Sequence, residues 1–403
     1  MSYIFRMTAT ARVLLAPDKF KGTLTAAEVA DAVAAGLRCG RDDISVTVVP
    51  VADGGDGTLA VALDRGFEPV QVPAADALGN PAAAVIGIRG HHAFVELASV
   101  CGLQRLPAQE LQPEHATTIG LGLAVRAALD HGCTRITLGL GGSASTDGGA
   151  GLLCGLGARL LDVHGDAVPP VPADLPRVTS VDTSGLDPRL TDTDIDVAID
   201  VDAPLLGPGG AAAVFGPQKG ATAATVTRLE HAMQHWTRLL SSFDSRPDPM
   251  HPGAGAAGGT AFAALALGAR LVDGADVVLD LVGFDAAAAD AKLVVTGEGR
   301  LDQQTLMGKA PSVVARRAQR LGLPVVAVVG SRDPRLGDHE LLECGFGEVY
   351  QLIDLEAGAA SDADLSRSAL TTVGARIAQA HLSGPQIEPA PSLSLSTGST
   401  STR

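Results

Sequence analysis

Lysine is scarce in this chain: only five of its 30 basic residues are Lys, at Lys19, Lys21, Lys219, Lys292 and Lys309. Basic excess is missing altogether. The formal charge is -15, which argues against nucleic acid or an anionic membrane as the main partner. Aromatic residues make up 3%, too few for an aromatic β-sandwich core, so small helices packed on buried parallel strands fit better. The five cysteines (Cys39, Cys101, Cys133, Cys154, Cys344) form no C-x-x-C pair, and no charged leader with an apolar run opens the chain. A reduced, cytoplasmic protein is the expectation. The longest uncharged run, Pro252 to Ala269, is mostly Gly and Ala, which is too weakly apolar for a membrane-spanning helix.

What is present points to a packed α/β protein. With 403 residues and 46% hydrophobic content, the chain has room for two or three domains, each with a sizeable core. Arg12–Ala16 reads as a strand and Asp18–Leu24 as a loop. Thr25 reads as a helix N-cap, with Glu28 at capping-box spacing before AAEVADAVAAGL. Ser45–Pro50 is a second strand, followed by ADGGDGT and a helix from about Thr58. Towards the other end, Ala291–Thr296 reads as a strand, GEGRLDQQTLMGK as a loop, Ser312–Leu321 as a helix and Pro324–Val329 as a strand. Both ends therefore carry parallel βαβ structure. Between them, PVQVPA, AAVIGI and AFVELA read as shorter strands of a mixed insert.

The expected architecture is a split Rossmann-like parallel-sheet domain, residues 11–68 with 265–383, around an inserted mixed α/β domain, 69–264. Residues 1–10 read as a loose leader. Residues 384–403, rich in Pro, Ser and Thr, read as a disordered tail.

Five segments combine glycine with charge beyond what packing asks for: Ala16–Gly22, Val51–Thr58, Gly139–Gly151, Asp200–Gly220 and Thr296–Pro311. Glycine lets backbone N–H groups approach an anion, and neighbouring carboxylates suit a magnesium ion or a hydroxyl proton. The common nucleotide signatures are absent. Lys309 follows Gly308, but Ala310 stands where the phosphate-loop motif needs Ser or Thr.

One rival reading takes Gly139-x-Gly141-x-x-Ala144, with Asp162 downstream, as a dinucleotide fingerprint. That would make the chain an NAD-dependent oxidoreductase of small hydroxy acids. Asp147 and its Ser/Thr neighbours fill the turn where a pyrophosphate would approach, which counts against it. A non-catalytic sugar-acid sensor is a second alternative, one that would tolerate loss of most of the carboxylates kept here. His231 and His235 have the i,i+4 spacing of metal ligands, but a solvated helix face explains them more simply.

Taken in order, APDKFKG, PVADGGDGT, GLGGSASTDGGAG, FGPQKGA, HPGAGAAGG and VVTGEGRLDQQTLMGKAP resemble the motifs of the bacterial glycerate kinases that form 2-phosphoglycerate. The resemblance runs from about residue 12 to 380, with departures at Lys19, Thr146 and Ala203. It implies a flavodoxin-like domain split around an insert, with ATP and Mg2+ as cofactors. It also implies glycerate as the small-molecule partner, no nucleic acid or membrane partner, and leaves a homodimer open. On that footing Lys21, Asp53, Asp147, Lys219, Glu298, Arg300 and Asp302 are the candidate catalytic residues. Lys19, Gly54, Gly55, Gly141, Gly142, Ser143, Gly297, Gly299 and Lys309 are candidates for the nucleotide, and Asp56, Asp200 and Asp202 for the metal, with Asp18 behind them. Which carboxylate is the base stays open, because a helix-capping role is available to each. Lys21, Lys219 and Lys309 are expected to be loop residues whose removal costs activity and not stability. Lys292, at a strand entry, is their control.

Overall fold

The computed structural model describes residues 11–49, 51, 57–107, 111–241, 243, 245–306 and 308–382. The leader, the Asp53–Asp56 stretch and the tail from 384 lie outside them.

Two sheets organise the chain. The first contains β1 (Ala11–Pro17), β2 (Ile44–Val48), β11 (Leu293–Leu301), β12 (Val325–Arg332) and β13 (Glu348–Gln351), in the order β13-β12-β11-β1-β2. All four pairings are parallel. If the insert is skipped, the order is 2-1-3-4-5, the flavodoxin-like arrangement, with its switch point between β1 and β11. Six of the seven β1 residues are buried, as a central strand covered by helices on both faces requires.

The second sheet has the order β10-β9-β6-β5-β4-β3. Its strands are β3 (Glu68–Ala75), β4 (Pro81–Arg89), β5 (His92–Glu96), β6 (Arg135–Gly139), β9 (Asp194–Ile199) and β10 (Arg270–Asp273). The β10, β9, β6 and β5 strands are parallel, while β4 and β3 are antiparallel. A small antiparallel pair, β7 (Arg159–Leu161) with β8 (Ser180–Asp182), lies beside it. The helix Thr58–Asp64 packs on this second sheet through Leu59, Ala62 and Phe94. The chain therefore changes sheet before that helix, and returns only after β10.

Several elements match their sequence signals closely. Thr25 caps the helix Ala26–Gly40 with the reciprocal Glu28 bond. One element differs: Gly297–Leu301, expected to be loop, continues β11. The strand persists because Gly297, Glu298 and Arg300 still pair with Val328, Val329 and Ser331 of β12. A β-carbon on Gly297 would lie 1.9 Å from the Val328 oxygen, so glycine there serves close strand approach and not a turn. Among the described residues, no helix is long and apolar enough to cross a membrane.

The helices Ala26–Gly40 and Ala363–His381 cover one face of the first sheet and meet at Gly36 and Gly374. A β-carbon on Gly36 would lie 2.0 Å from the Thr371 carbonyl oxygen, an atom fixed in its own helix. Gly36→Val should therefore destabilise the protein by on the order of 3 kcal/mol through overpacking. Urea denaturation would read this as a lower midpoint, and an unchanged midpoint would contradict the close helix contact.

Candidate active site

Ligands of open parallel sheets gather at the carboxyl ends of the strands, and both sheets here carry their polar loops on that edge. In the first sheet, β1 leads into Asp18, whose N–H donates to the Gly297 oxygen of β11 at 2.8 Å. The following loop is closed by Phe20 N–H donating to the Leu24 oxygen at 2.8 Å. Phe20 is buried in the core while Lys19 and Lys21 on either side are exposed. The apolar ring thus anchors the loop and leaves both ammonium groups beside the switch point. Gly299 faces this loop, since a β-carbon there would lie 3.3 Å from the Lys21 nitrogen.

Glu298 sits on β11 and is 7% exposed. Burial lifts its carboxyl to about 7; the Thr305 hydroxyl and Lys309 oppose the rise, and Asp18 and Asp302 add to it. Thr305 is fully buried. Its Oγ1 accepts the Asp302 N–H at 3.1 Å, so its own proton is free to go to Glu298 Oε1. Asp302 in turn accepts from the N–H groups of Gln304 and Thr305 and lies 3.5 Å from Lys309 Nζ. Asp302 therefore shapes its turn as well as facing a lysine. Arg300 is exposed, 4.0 Å from Asp333.

In the second sheet the turn after β6, Leu140 to Gly149, is almost wholly buried. Asp147 has no exposed surface and accepts from Thr118 N–H, Thr118 Oγ1, Gly149 N–H and Gly151 N–H at 2.7–3.2 Å. Burial still raises its pKa despite those donors. This is the geometry of a carboxylate that holds a turn, and Asp147 borders neither of the cavities described below. The one tryptophan, Trp236, donates its indole N–H to the Gly148 oxygen at 2.9 Å. From the opposite side Gly148 N–H reaches the Gly258 oxygen at 2.9 Å. Ala257, Gly258 and Gly259 all take left-handed backbone angles there, and a β-carbon on Gly258 would lie 2.1 Å from the Ser145 oxygen.

Lys219 corrects an expectation. It is 2% exposed, with its ammonium donating to Ser143 Oγ at 2.8 Å and the Ser145 oxygen at 2.6 Å. Burial pulls it down to about 7, with Asp147 acting the other way. It is an interior residue, so its loss will cost stability, unlike that of a surface-loop lysine. Beside it lies a cavity of about 270 Å³ bordered by Gly141, Gly142, Ser143, Asp200 and Lys219. A second cavity, about 200 Å³, shares Asp200 and Val201 and extends to Asp202, His251, Asp273 and Gly308. Gly308 belongs to the first sheet's loop, so that loop reaches the second cavity, while Lys19, Lys21, Glu298, Arg300, Asp302 and Lys309 border neither of the two.

The candidates thus form two groups: Lys19, Lys21, Gly297, Glu298, Gly299, Arg300, Asp302 and Lys309 at the first sheet, and Gly141, Gly142, Ser143, Asp200, Asp202 and Lys219 at the second. Asp53, Gly54, Gly55 and Asp56 lie outside the described residues. Glu96, not singled out from sequence, accepts from Gly57 and Leu59 N–H and so caps the helix that follows that stretch. Thr305 was missed too, although Asp302-x-x-Thr305 has capping spacing; Thr118 carries no local signal. His235 bonds the Val178 oxygen, and among the described residues no cluster of His, Cys, Asp or Glu forms a ready metal cage. The dinucleotide reading fails on geometry, because no helix begins until Ala150 and Asp162 is spent on the His164 and Asp166 N–H groups of its own turn.

A flavodoxin-like sheet interrupted by a second α/β sheet, with glycine-rich charged loops at the carboxyl strand ends of both, is the architecture of a two-sheet α/β enzyme. The comparisons narrow this. The glycerate kinase family model matches residues 13–382, and the chain belongs to that family. It is 41% identical over 324 residues to the glycerate kinase of Bacillus subtilis, covering 79% of this chain and 85% of that protein. It is 40% identical over 331 residues to the glycerate 2-kinase of Escherichia coli K12, covering 81% and 87%. A crystal structure assigned as glycerate kinase 2 from Salmonella typhimurium LT2 superposes with a TM-score of 0.75 at 37% identity, covering 92% of this chain and 98% of that one.

Glu298 makes a stability prediction with a definite sign. Its folded pKa of about 7 lies above the ordinary 4.5, so the folded protein binds the extra proton between those values. Its contribution is present below pH 4.5 and lost as pH rises through 7. Glu298→Gln should therefore gain stability relative to wild type by up to about 3 kcal/mol between pH 4.5 and 8. Urea titrations at both pH values read it, and an equal wild-type-to-variant difference at the two would rule out a protonated Glu298.

Proposed function

We propose that this chain is a kinase that transfers the γ-phosphoryl group of ATP to the 2-hydroxyl of D-glycerate, giving 2-phosphoglycerate and ADP. The observation that carries this reading is a chain of this family with a ligand-suited loop cluster at the carboxyl strand ends of each sheet, the two approaching where Gly308 and Asp273 border one cavity. The reaction forms a P–O bond to the acceptor hydroxyl, breaks the P–O bond to ADP, and releases the hydroxyl proton. It needs alignment, neutralisation of charge and a proton acceptor. In this reading Lys19, Lys21, Lys309 and Arg300 neutralise phosphate oxygens, and the backbone around Gly297 and Gly299 lets ligand approach. Glu298, lifted by burial to about 7, is suited to accept a proton near neutral pH. Thr305 orients it.

Magnesium requires oxygen donors but seldom a full protein cage, one or two carboxylates sufficing beside phosphate and water. Asp200 and Asp202, exposed at the carboxyl end of β9 and bordering the second cavity, fit that pattern, with Asp56 the further candidate. The ion would supply charge neutralisation on the phosphates. Each sheet is taken here as a separate domain, and closure of the two over the ligands would exclude water.

Product identity tests the reaction directly. Incubation with D-glycerate and Mg·ATP should yield 2-phosphoglycerate by phosphorus NMR. Release of only 3-phosphoglycerate would overturn the regiochemistry, and no glycerate-dependent ADP the kinase itself. The residues have their own test. Lys21→Ala and Lys309→Ala should each lower kcat/KM by roughly two to three orders of magnitude, the scale of one lost preorganised charged donor. Lys292, exposed at the entry to β11, should be replaceable by Ala with nearly full activity. Equal damage at Lys292 would remove the argument from loop position.

A further inference from the structure

Lys219 is an unusual cation. Its hydrogen-bond acceptors among the described residues are both neutral, although an ammonium has three donors. Among the described residues it forms no ion pair. The carboxylate that acts on it electrostatically, among the described residues, is Asp147, whose own oxygens are taken up by Thr118, Gly149 and Gly151. A buried cation without a contacting counter-ion is costly, and this one borders the cavity of about 270 Å³. Backbone of the Gly141–Ser143 turn and the amide side chains of Gln104 and Gln218 border the same space.

We propose that this cavity is the acceptor subsite and takes a small 2-hydroxycarboxylate, with the carboxylate on the Lys219 ammonium. The proposal rests on the kinase reading and divides its two substrates between the two loop clusters. Charge matching carries the division. The first-sheet loops hold Lys19, Lys21, Arg300 and Lys309, a set suited to the several charges of a polyphosphate. The second-sheet cavity offers a single buried ammonium, which matches a single carboxylate. The amides of Gln104 and Gln218 suit the acceptor's hydroxyls. Asp200, common to both cavities, marks where an acceptor held on Lys219 meets the cavity leading to Gly308.

The proton follows from the same geometry. In the free protein burial holds Lys219 near 7, so it is largely neutral above that pH. Among the described residues, Asp147 from the β6 turn acts on it, Asp200 lies across the cavity, and the Ala256–Ala257 and Leu103–Gln104 segments bring no charge. A carboxylate in contact restores the ammonium and raises its pKa. Binding of D-glycerate should then take up a fraction of a proton at pH 7.5 and less at pH 6.

Isothermal titration of wild-type protein with D-glycerate, alone and with Mg·ADP already bound, in buffers of different ionisation enthalpy, measures that uptake. Titration with Mg·ADP alone should show almost no uptake. Lys219→Arg, which stays charged, should bind D-glycerate without uptake, and Lys219→Met should lose at least tenfold in affinity. D-glycerate affinity unchanged in Lys219→Met, or a loss of Mg·ADP affinity there in its place, would overturn the proposal. Neither result would touch the kinase reading, which fails only if wild type does not phosphorylate D-glycerate.

Discussion

An ammonium in a protein interior is stable only when its surroundings are built around it, and the second sheet shows what that demands. Lys219 reaches the turn after β6 through Ser143 and Ser145, and the turn cannot relax away from it. Asp147 ties the turn's far end to Thr118, Trp236 takes the Gly148 carbonyl, and the left-handed run Ala257–Gly259 presses on Ser145. Each contact leaves little space for another conformation: a β-carbon on Gly148 would lie 2.5 Å from the Trp236 ring. The cavity wall is in consequence preorganised, which is the property that lets fixed charge act on a reacting ligand without rearranging first.

The first sheet uses a different device. Its lysines stand on exposed loops that a buried phenylalanine and strand pairing hold in place, and its buried acid, Glu298, leans on a threonine hydroxyl. Positive charge is therefore held in two ways, on exposed loops at the first sheet and buried at the second. The two sheets meet where Gly308, in the loop after β11, approaches Asp273 at the end of β10.

Much of the first sheet was legible in the sequence, because its signals are local. The Thr25–Glu28 box, the apolar run of β1 and the glycine-rich turns after strands each state their own role. The extension of β11 was not legible, since Gly-Glu-Gly reads as a turn unless the neighbouring carbonyl of Val328 is known. Lys219 was hidden for a related reason. Its segment, Phe-Gly-Pro-Gln-Lys-Gly, reads as a surface turn, and its burial is decided by Ser143 and Ser145, distant in the chain. Asp147 was recognised as important for its surroundings, but whether a carboxylate in a glycine-rich turn meets ligand or backbone depends on where Thr118 lies. Long-range partners decide such roles, and composition does not carry them.

The position of β1 between β2 and β11 has a consequence for synthesis. As the chain leaves the ribosome, every strand of the second sheet, from Glu68 to Asp273, emerges before β11 begins at Leu293. Domains fold as units in order of emergence, so the insert can close while β1 and β2 still wait with one edge unpaired. The helix Ala363–His381, which covers Ala26–Gly40, arrives last. The amino-terminal strands thus spend most of translation as an apolar pair with an open edge, the kind of surface that invites wrong partners. A nascent chain halted before Leu293 would carry every strand of the second sheet but only two of the five strands of the first.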